Sequence, residues 1–181
     1  MPRKKLIRSS TNPYHVTARS NNREWFYIPS SEVWEITQNL LRRSEKHFDI
    51  KLEAFVLMSN HYHMLVHTPK ANIDKFMHFF NKNLGQKISR KAGRINRIFG
   101  ASYKWNLILS QSYYDSVLRY IYQNPMRANL VERCQDYPYC NLLSKNYDQE
   151  KIAWLNQRLS EREVERTIRK LRHPIIDVQT D

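Results

Sequence analysis

Between Lys51 and His67 the chain carries two strand-forming runs, Lys51 to Met58 and His61 to His67, separated by Ser59-Asn60 alone. A connection that short joins them as an antiparallel hairpin turning at Ser59-Asn60. Side chains two apart on a strand leave the same face, so His61 and His63, on either side of Tyr62, stand next to each other on one rigid element. Each neutral imidazole offers a nitrogen to a divalent cation. Two strand histidines that merely satisfy their own hydrogen bonds have the same pattern, and the pair alone leaves both readings open. His67 shares the parity but lies four residues further on, about 13 Å at strand rise, and reads as a strand-end surface residue. A histidine-triad hydrolase needs a third histidine at position 65, which is Leu65.

The hairpin sits inside a regular alternation of elements. Pro13 to Arg19 reads as a first strand behind a basic arm. Ser30 caps a helix from Ser31 to about His47, with Val33, Ile36, Leu40 and Leu41 at helical spacing. Asn72 caps a second helix whose stripe is Ile73, Phe76, Met77, Phe80, Leu84 and Ile88. A basic stretch from Lys87 to Gly100 leads into a strand from Ala101 to Ser110. Ser112 and Asp115 have capping-box spacing for a helix from Ser112 to Val131, which Pro125 ends or kinks. Ser160-x-x-Glu163 opens a last helix with Val164, Ile168 and Leu171 inward and Arg162, Arg166 and Arg169 outward. The order β-α-β-β-α-β-α predicts an α+β fold. The expected form is a ferredoxin-like antiparallel sheet with helices packed on one face, plus a C-terminal helical tail. The expected division is a main domain over 1–143 and a basic helical tail over 144–181.

Charge points to the partner. Thirty Lys and Arg against 17 Asp and Glu give a formal +13, and self-repulsion of that size in a small domain fits a polyanion, nucleic acid rather than acidic lipid. Arg3-Lys4-Lys5 is a candidate mobile arm, Arg90, Lys91, Arg94 and Arg97 candidate backbone clamps, and Arg19 and Arg127 further candidate DNA contacts. Trp105 either stacks a base or packs in the core. No apolar run approaches the roughly 20 residues of a membrane span, and the N-terminus has no signal-peptide core. Cys134 and Cys140 lie six apart, which is not a zinc spacing, and a reducing cytoplasm is the expected compartment.

On the helix after Ser112, Tyr120 and Asn124 are about 40° apart around the axis. Tyr114, Val117, Leu118 and Ile121 form the apolar face, which leaves Tyr120 on its margin. A margin tyrosine is often just an amphipathic packing residue. The run Leu118-Arg119-Tyr120-Ile121-Tyr122-Gln123-Asn124-Pro125-Met126-Arg127-Ala128-Asn129-Leu130-Val131, however, resembles the signature Tyr-Ile-x-x-Asn-Pro-x-Arg-Ala-x-Leu-Val of the IS200-like single-tyrosine transposases, specifically the REP-associated branch. Met58-Ser59-Asn60-His61-Tyr62-His63-Met64-Leu65-Val66 is similar to that family's His-hydrophobe-His block, Tyr14-His15-Val16-Thr17-Ala18-Arg19 to its first strand, and Tyr137-Pro138-Tyr139 to its closing segment. The likeness covers roughly residues 10 to 143.

The resemblance implies that Tyr120 is a nucleophile, that His61 and His63 bind Mg²⁺ or Mn²⁺, and that Asn124 stands at the place of a third polar ligand. Tyr122, the rival nucleophile, lies about 200° away around the helix, with Met126 at i+4, a poor ligand for a hard cation. An unaided tyrosine is only about one part in a thousand ionised at neutral pH, so a cation that orients and neutralises the phosphate is chemically apt. The implied activity is metal-dependent nicking and strand transfer on single-stranded or hairpin DNA through a covalent 5′-phosphotyrosine, by a monomer or homodimer. A DNA-hairpin-binding protein that keeps the fold without the chemistry is the alternative. A hydrolase of small phosphoesters is a third, disfavoured by the charge and by Leu65.

Overall fold

The computed structural model describes residues 5–172. Arg3 and Lys4 of the expected arm lie outside them, and Lys5 is exposed. Four strands, β1 (Tyr14–Arg19), β2 (Lys51–Leu57), β3 (His61–His67) and β4 (Lys104–Leu107), form one sheet in the order β2-β3-β1-β4. Each neighbouring pair is antiparallel. The helices are α1 (Ser30–Phe48), α2 (Ile73–Lys91), α3 (Gln111–Tyr122), α4 (Asn124–Arg127), α5 (Gln149–Asn156) and α6 (Glu161–Arg172). No helix among the described residues is long and apolar enough to cross a membrane.

The predicted α+β fold and its strand order along the chain are those observed. Strand alternation then sorts the core. Tyr14, Val16 and Ala18 of β1 and Tyr62, Met64 and Val66 of β3 turn to one face, where they bury against Val33 and Leu40 of α1 and Phe76, Phe80 and Leu84 of α2. Leu65 of β3 and Ala54 and Val56 of β2 turn to the other face and bury against Val117, Leu118 and Ile121 of α3. Helices thus cover one face as expected, and α3 adds cover to the opposite one because β2 and β3 are apolar on both sides. The β2–β3 register shifts between Leu52 and Ala54, which sets Glu53 out of the ladder as a bulge.

Several boundaries differ from the sequence expectation for local reasons. Helix α1 starts on Pro29 rather than on a serine cap: the Glu32 and Val33 amides donate to the Pro29 carbonyl at 3.0 and 3.1 Å. Asn72 stands at the N-cap of α2, but its Nδ2 donates to the Phe48 carbonyl (3.0 Å) instead of its side chain capping the helix. Helix α3 is capped by Ser110, whose Oγ accepts from the Tyr113 amide (3.3 Å), and Ser112 falls inside the first turn. Strand β4 is shorter than predicted because it pairs only with β1, and residues 101–103 leave the ladder.

Proline ends α3 as expected. Pro125 has no N–H for the Ile121 carbonyl, and the Asn124 side chain steps in, donating Nδ2 to the Tyr120 carbonyl (2.6 Å) and, at 3.4 Å, to that of Ile121. The Ser160–Glu163 capping box forms: the Ser160 amide donates to Glu163 Oε2 (2.8 Å) and the Glu163 amide to Ser160 Oγ (3.3 Å). Val164 is buried and Leu171 packs on the α3 core, with Arg162, Arg166 and Arg169 exposed.

Buried Gln123, between α3 and α4, ties the segment joining α5 and α6 to α3. Its Nε2 donates to the Leu155 and Gln157 carbonyls (2.7 Å each), and its Oε1 accepts from the Leu159 amide (3.0 Å). Gln123→Ala leaves the Leu159 amide without its acceptor, whereas the Leu155 and Gln157 carbonyls keep Cys134 Sγ and Arg119 Nη2 as donors, and a loss of about 2 kcal/mol is expected, read as a lowered urea midpoint. An unfolding free energy within about 0.5 kcal/mol of the parent would show that α5 and α6 dock without this side chain.

Candidate functional site

The β3–α3 junction opens into a cleft of about 680 Å³ lined by Thr17, Arg19, Arg23, Met58, His61, His63, Ser102, Lys104, Tyr120, Asn124 and Arg127, among others. Strand register assembles one wall. His61 pairs with Arg19 and His63 with Thr17 across β1–β3, and Thr17 with Lys104 across β1–β4, so these side chains share a face. The opposite wall is the C-terminal end of α3, where half-buried Tyr120 borders the apolar stripe and Asn124 follows one turn on.

The aromatic rings meet closely. The His61 and His63 rings are 5.1 Å apart between centroids and near-perpendicular, and Tyr120 stands edge-on to His63 at 5.5 Å. Behind His63 lies His15 of β1, at the diagonal position across the strand pair. The two rings are stacked at 5.2 Å, and His15 Nε2 lies 3.0 Å from His63 Nδ1. Tyr120 is also edge-on to His15, at 6.4 Å.

Burial keeps these imidazoles neutral. It lowers the pKa of His15 to about 3 and that of His61 to about 4, where the nearby Arg19 charge adds to the effect. His63 falls well below the usual histidine value, from burial first and then from its neighbours His15, His61 and Arg19.

The donor set fits a divalent cation. Asn60 Nδ2 donates to the Arg23 carbonyl (2.6 Å), which orients the carboxamide so that its Oδ1 accepts from His61 Nδ1 (2.7 Å). The lone pair of His61 therefore resides on Nε2. His63 Nδ1 faces His15, which leaves its Nε2. Asn124 Nδ2 is committed to the Tyr120 carbonyl, which leaves its Oδ1. Two imidazole nitrogens and one carboxamide oxygen in a common cleft suit Mg²⁺ or Mn²⁺ with positions left for substrate. Among the described residues, no three or more His, Cys, Asp or Glu side chains are grouped to hold an ion.

The remaining expected residues divide. Arg19 and Arg127 line the cleft. Arg90 and Arg97 line a neighbouring groove against α2 that shares Ala101 and Ser102 with it. Lys91 is ion-paired to Glu32 (2.6 Å), and the Arg94 guanidinium stacks 3.6 Å over the Tyr27 ring. Neither lines the cleft. Trp105 belongs to the opposite face, edge-on to Tyr14 at 6.2 Å. His67 is the strand-end residue expected, with Nε2 2.7 Å from the Ser10 carbonyl. The rival Tyr122 is buried, its hydroxyl donating to Asn141 Oδ1 (3.0 Å) and its pKa raised by burial.

Sequence reading missed His15, Arg23 and Lys104. Strand parity alone puts His15 with Thr17 and Arg19, but its nearness to His63 requires the β1–β3 register. Trp25 is 70% exposed, two residues from Arg23, on a loop anchored by buried Phe26, whose amide donates to the Ser59 carbonyl (3.0 Å). Gly100 lets the 98–103 segment approach that loop: a Cβ there would overlap the Asn21 carboxamide.

The family profile described as transposase IS200 like matches residues 9–124. The chain belongs to this IS200-like transposase family. The matched span contains β1, the histidine pair and Tyr120, and ends on Asn124. The fold is also that of a REP-associated tyrosine transposase solved bound to a REP hairpin. That structure has a TM-score of 0.65 and 16% identity, over 80% of this chain and 84% of that one. A candidate transposase from Deinococcus radiodurans R1 aligns at a TM-score of 0.46 and 18% identity, over 66% of this chain and 95% of that one. No curated protein sequence matches significantly. Membership gives this IS200-like transposase its coarse function, a transposase-like enzyme of DNA recombination.

The neutral imidazoles of this transposase bind protons less readily folded than unfolded. Their contribution to stability is present above the unfolded histidine pKa near 6.5 and is lost as pH falls below it. The thermal midpoint should drop between pH 7 and pH 5, and His15→Phe should make the drop shallower. A midpoint independent of pH over that interval would contradict the burial of these rings.

Proposed function

We propose that this IS200-like transposase nicks and rejoins single-stranded or hairpin DNA, with Tyr120 as nucleophile. One observation carries this: the Tyr120 ring stands edge-on to His63 and lines, together with His61 and Asn124, a cleft that also holds Arg19, Arg23, Lys104 and Arg127. The hairpin bound to the REP-associated relative and the formal +13 charge support the choice of substrate.

The basic side chains hold the DNA backbone across the cleft, and Trp25 presents a ring on which an unpaired base stacks. Tyr120 Oη attacks the scissile phosphorus in line, so that a Tyr–phosphate bond forms as the bond to the 3′ oxygen breaks. The phenolic proton passes to solvent, and the departing 3′ oxygen takes one up to leave as a hydroxyl. His61, His63 and Asn124 would hold a Mg²⁺ or Mn²⁺ ion, which when bound supplies Lewis-acid polarisation of a non-bridging phosphate oxygen. None of these three ligands carries a negative charge, so an anionic phosphate meets no opposing carboxylate there. Attack by a 3′ hydroxyl on the phosphotyrosine reverses the step and joins strands without a nucleotide cofactor.

Tyr120→Phe should abolish the covalent adduct with a labelled hairpin oligonucleotide in Mn²⁺ while changing its affinity by less than about threefold. A full yield of adduct from that variant would show that another residue is the nucleophile. His61→Ala and His63→Ala should each stop cleavage with Mn²⁺ supplied, as should chelation of the wild type. Salt-dependent hairpin binding by the wild type with no cleavage in any divalent metal would instead establish a binding protein on this fold.

A further inference from the structure

His15 is a buried imidazole to which the proposed chemistry assigns no part. It is 2% exposed and His63 is 6% exposed, so water does not compete for the contact between them. The rings lie 15° from parallel, with His15 Nε2 3.0 Å from His63 Nδ1. Its other nitrogen, Nδ1, is buried without a hydrogen-bond partner. Burying a polar ring with an unsatisfied nitrogen costs free energy that an apolar side chain at the same place would not. What the ring supplies is therefore to be sought at His63.

A neutral imidazole carries one N–H, and two such rings meeting nitrogen to nitrogen have two arrangements. In one, His63 donates from Nδ1 to His15 Nε2 and keeps a lone pair on its own Nε2. In the other, His15 donates, and the hydrogen of His63 occupies Nε2 and blocks it as a ligand. We propose that His15 is a positioning residue: by accepting from His63 Nδ1 it selects the His63 tautomer with a free Nε2 and fixes the rotation of that ring for cation binding. This deepens the reading of His61, His63 and Asn124 as a divalent-cation site and rests on it. Without an acceptor at position 15, the hydrogen of His63 is better placed on Nε2, where water in the cleft accepts it. Partners of this kind, which orient a ligating histidine through its second nitrogen, typically change metal affinity by about 10–100-fold when removed.

The test compares wild type, His15→Phe and His15→Gln at pH 7.5. Phenylalanine keeps a ring and removes the acceptor, whereas glutamine can place a carboxamide oxygen near the site of Nε2. Mn²⁺ binding is followed by electron paramagnetic resonance, and the His63 tautomer in the metal-free chain by long-range ¹⁵N–¹H correlation. Expected is the Nδ1–H tautomer of His63 in wild type and H15Q and the Nε2–H tautomer in H15F. Mn²⁺ should bind H15F at least about tenfold more weakly than wild type and H15Q within about threefold. Metal-free hairpin binding should be equal in all three. A folded H15F that binds Mn²⁺ as tightly as wild type overturns the role of His15, as does equal loss in H15F and H15Q. A metal-free wild type with His63 in the Nε2–H form overturns it without any variant. Wild type that takes up no Mn²⁺ removes the cation site itself, and the position 15 assignment with it.

Discussion

The antiparallel pairing of β1 with β3 is the constraint on which the rest depends. β3 is an inner strand whose alternate side chains serve two purposes. Tyr62, Met64 and Val66 enter the large core beneath α1 and α2, and His61, His63 and Leu65 enter the opposite side beneath α3. A one-residue slip would exchange the sets, placing imidazoles in the main core and Tyr62 in the cleft. The apolar demand of the core thus sets the orientation of the histidines. Because β1 pairs on β3 in this register, it brings His15 diagonally behind His63 and Arg19 opposite His61.

Against this wall the second half of the site is set by how α3 ends. Its stripe of Val117, Leu118 and Ile121 packs on Ala54, Val56 and Leu65 and fixes the rotation of the helix, which leaves Tyr120 at the margin beside the rings. Pro125 interrupts the backbone ladder one turn later, and Asn124 repairs the gap with its side-chain nitrogen. That repair leaves the carboxamide oxygen free of the helix. Helix termination and the composition of the candidate ligand set are therefore one local event. Gln123, the next residue back, makes the helix end the anchor for the segment joining α5 and α6.

Electrostatics follows from the same layering. The imidazoles lose water to α3 and the sheet, and burial keeps them uncharged. Positive charge is carried at the rim by Arg19, Arg23, Lys104 and Arg127, where long side chains remain solvated and can meet phosphate. Neutral donors within, cations around them and no carboxylate in the cleft lining are an arrangement that suits an anionic substrate.

Much of this was legible in the chain. Alternation in His61 to His67 and the helical stripes of α1, α2 and α3 report burial patterns that are local properties of sequence, and Pro125 and the Ser160–Glu163 box act within one turn. Caps were less legible at Pro29 and Ser110, where neighbouring residues with similar chemistry compete to start the helix. The basic residues were the least legible, because a flexible side chain has no periodicity to betray its partner: Lys91 is taken by Glu32 and Arg94 by Tyr27, whereas Arg23 and Lys104 reach the cleft. By itself, then, the sequence determined the elements, the face shared by His61 and His63 and the marginal position of Tyr120, since each depends on contacts within a few residues. Only the tertiary structure decided that these groups converge and that His15 stands behind them. The β1–β3 register and the docking of α3 join segments some 50 residues apart, and no local rule of spacing encodes that distance.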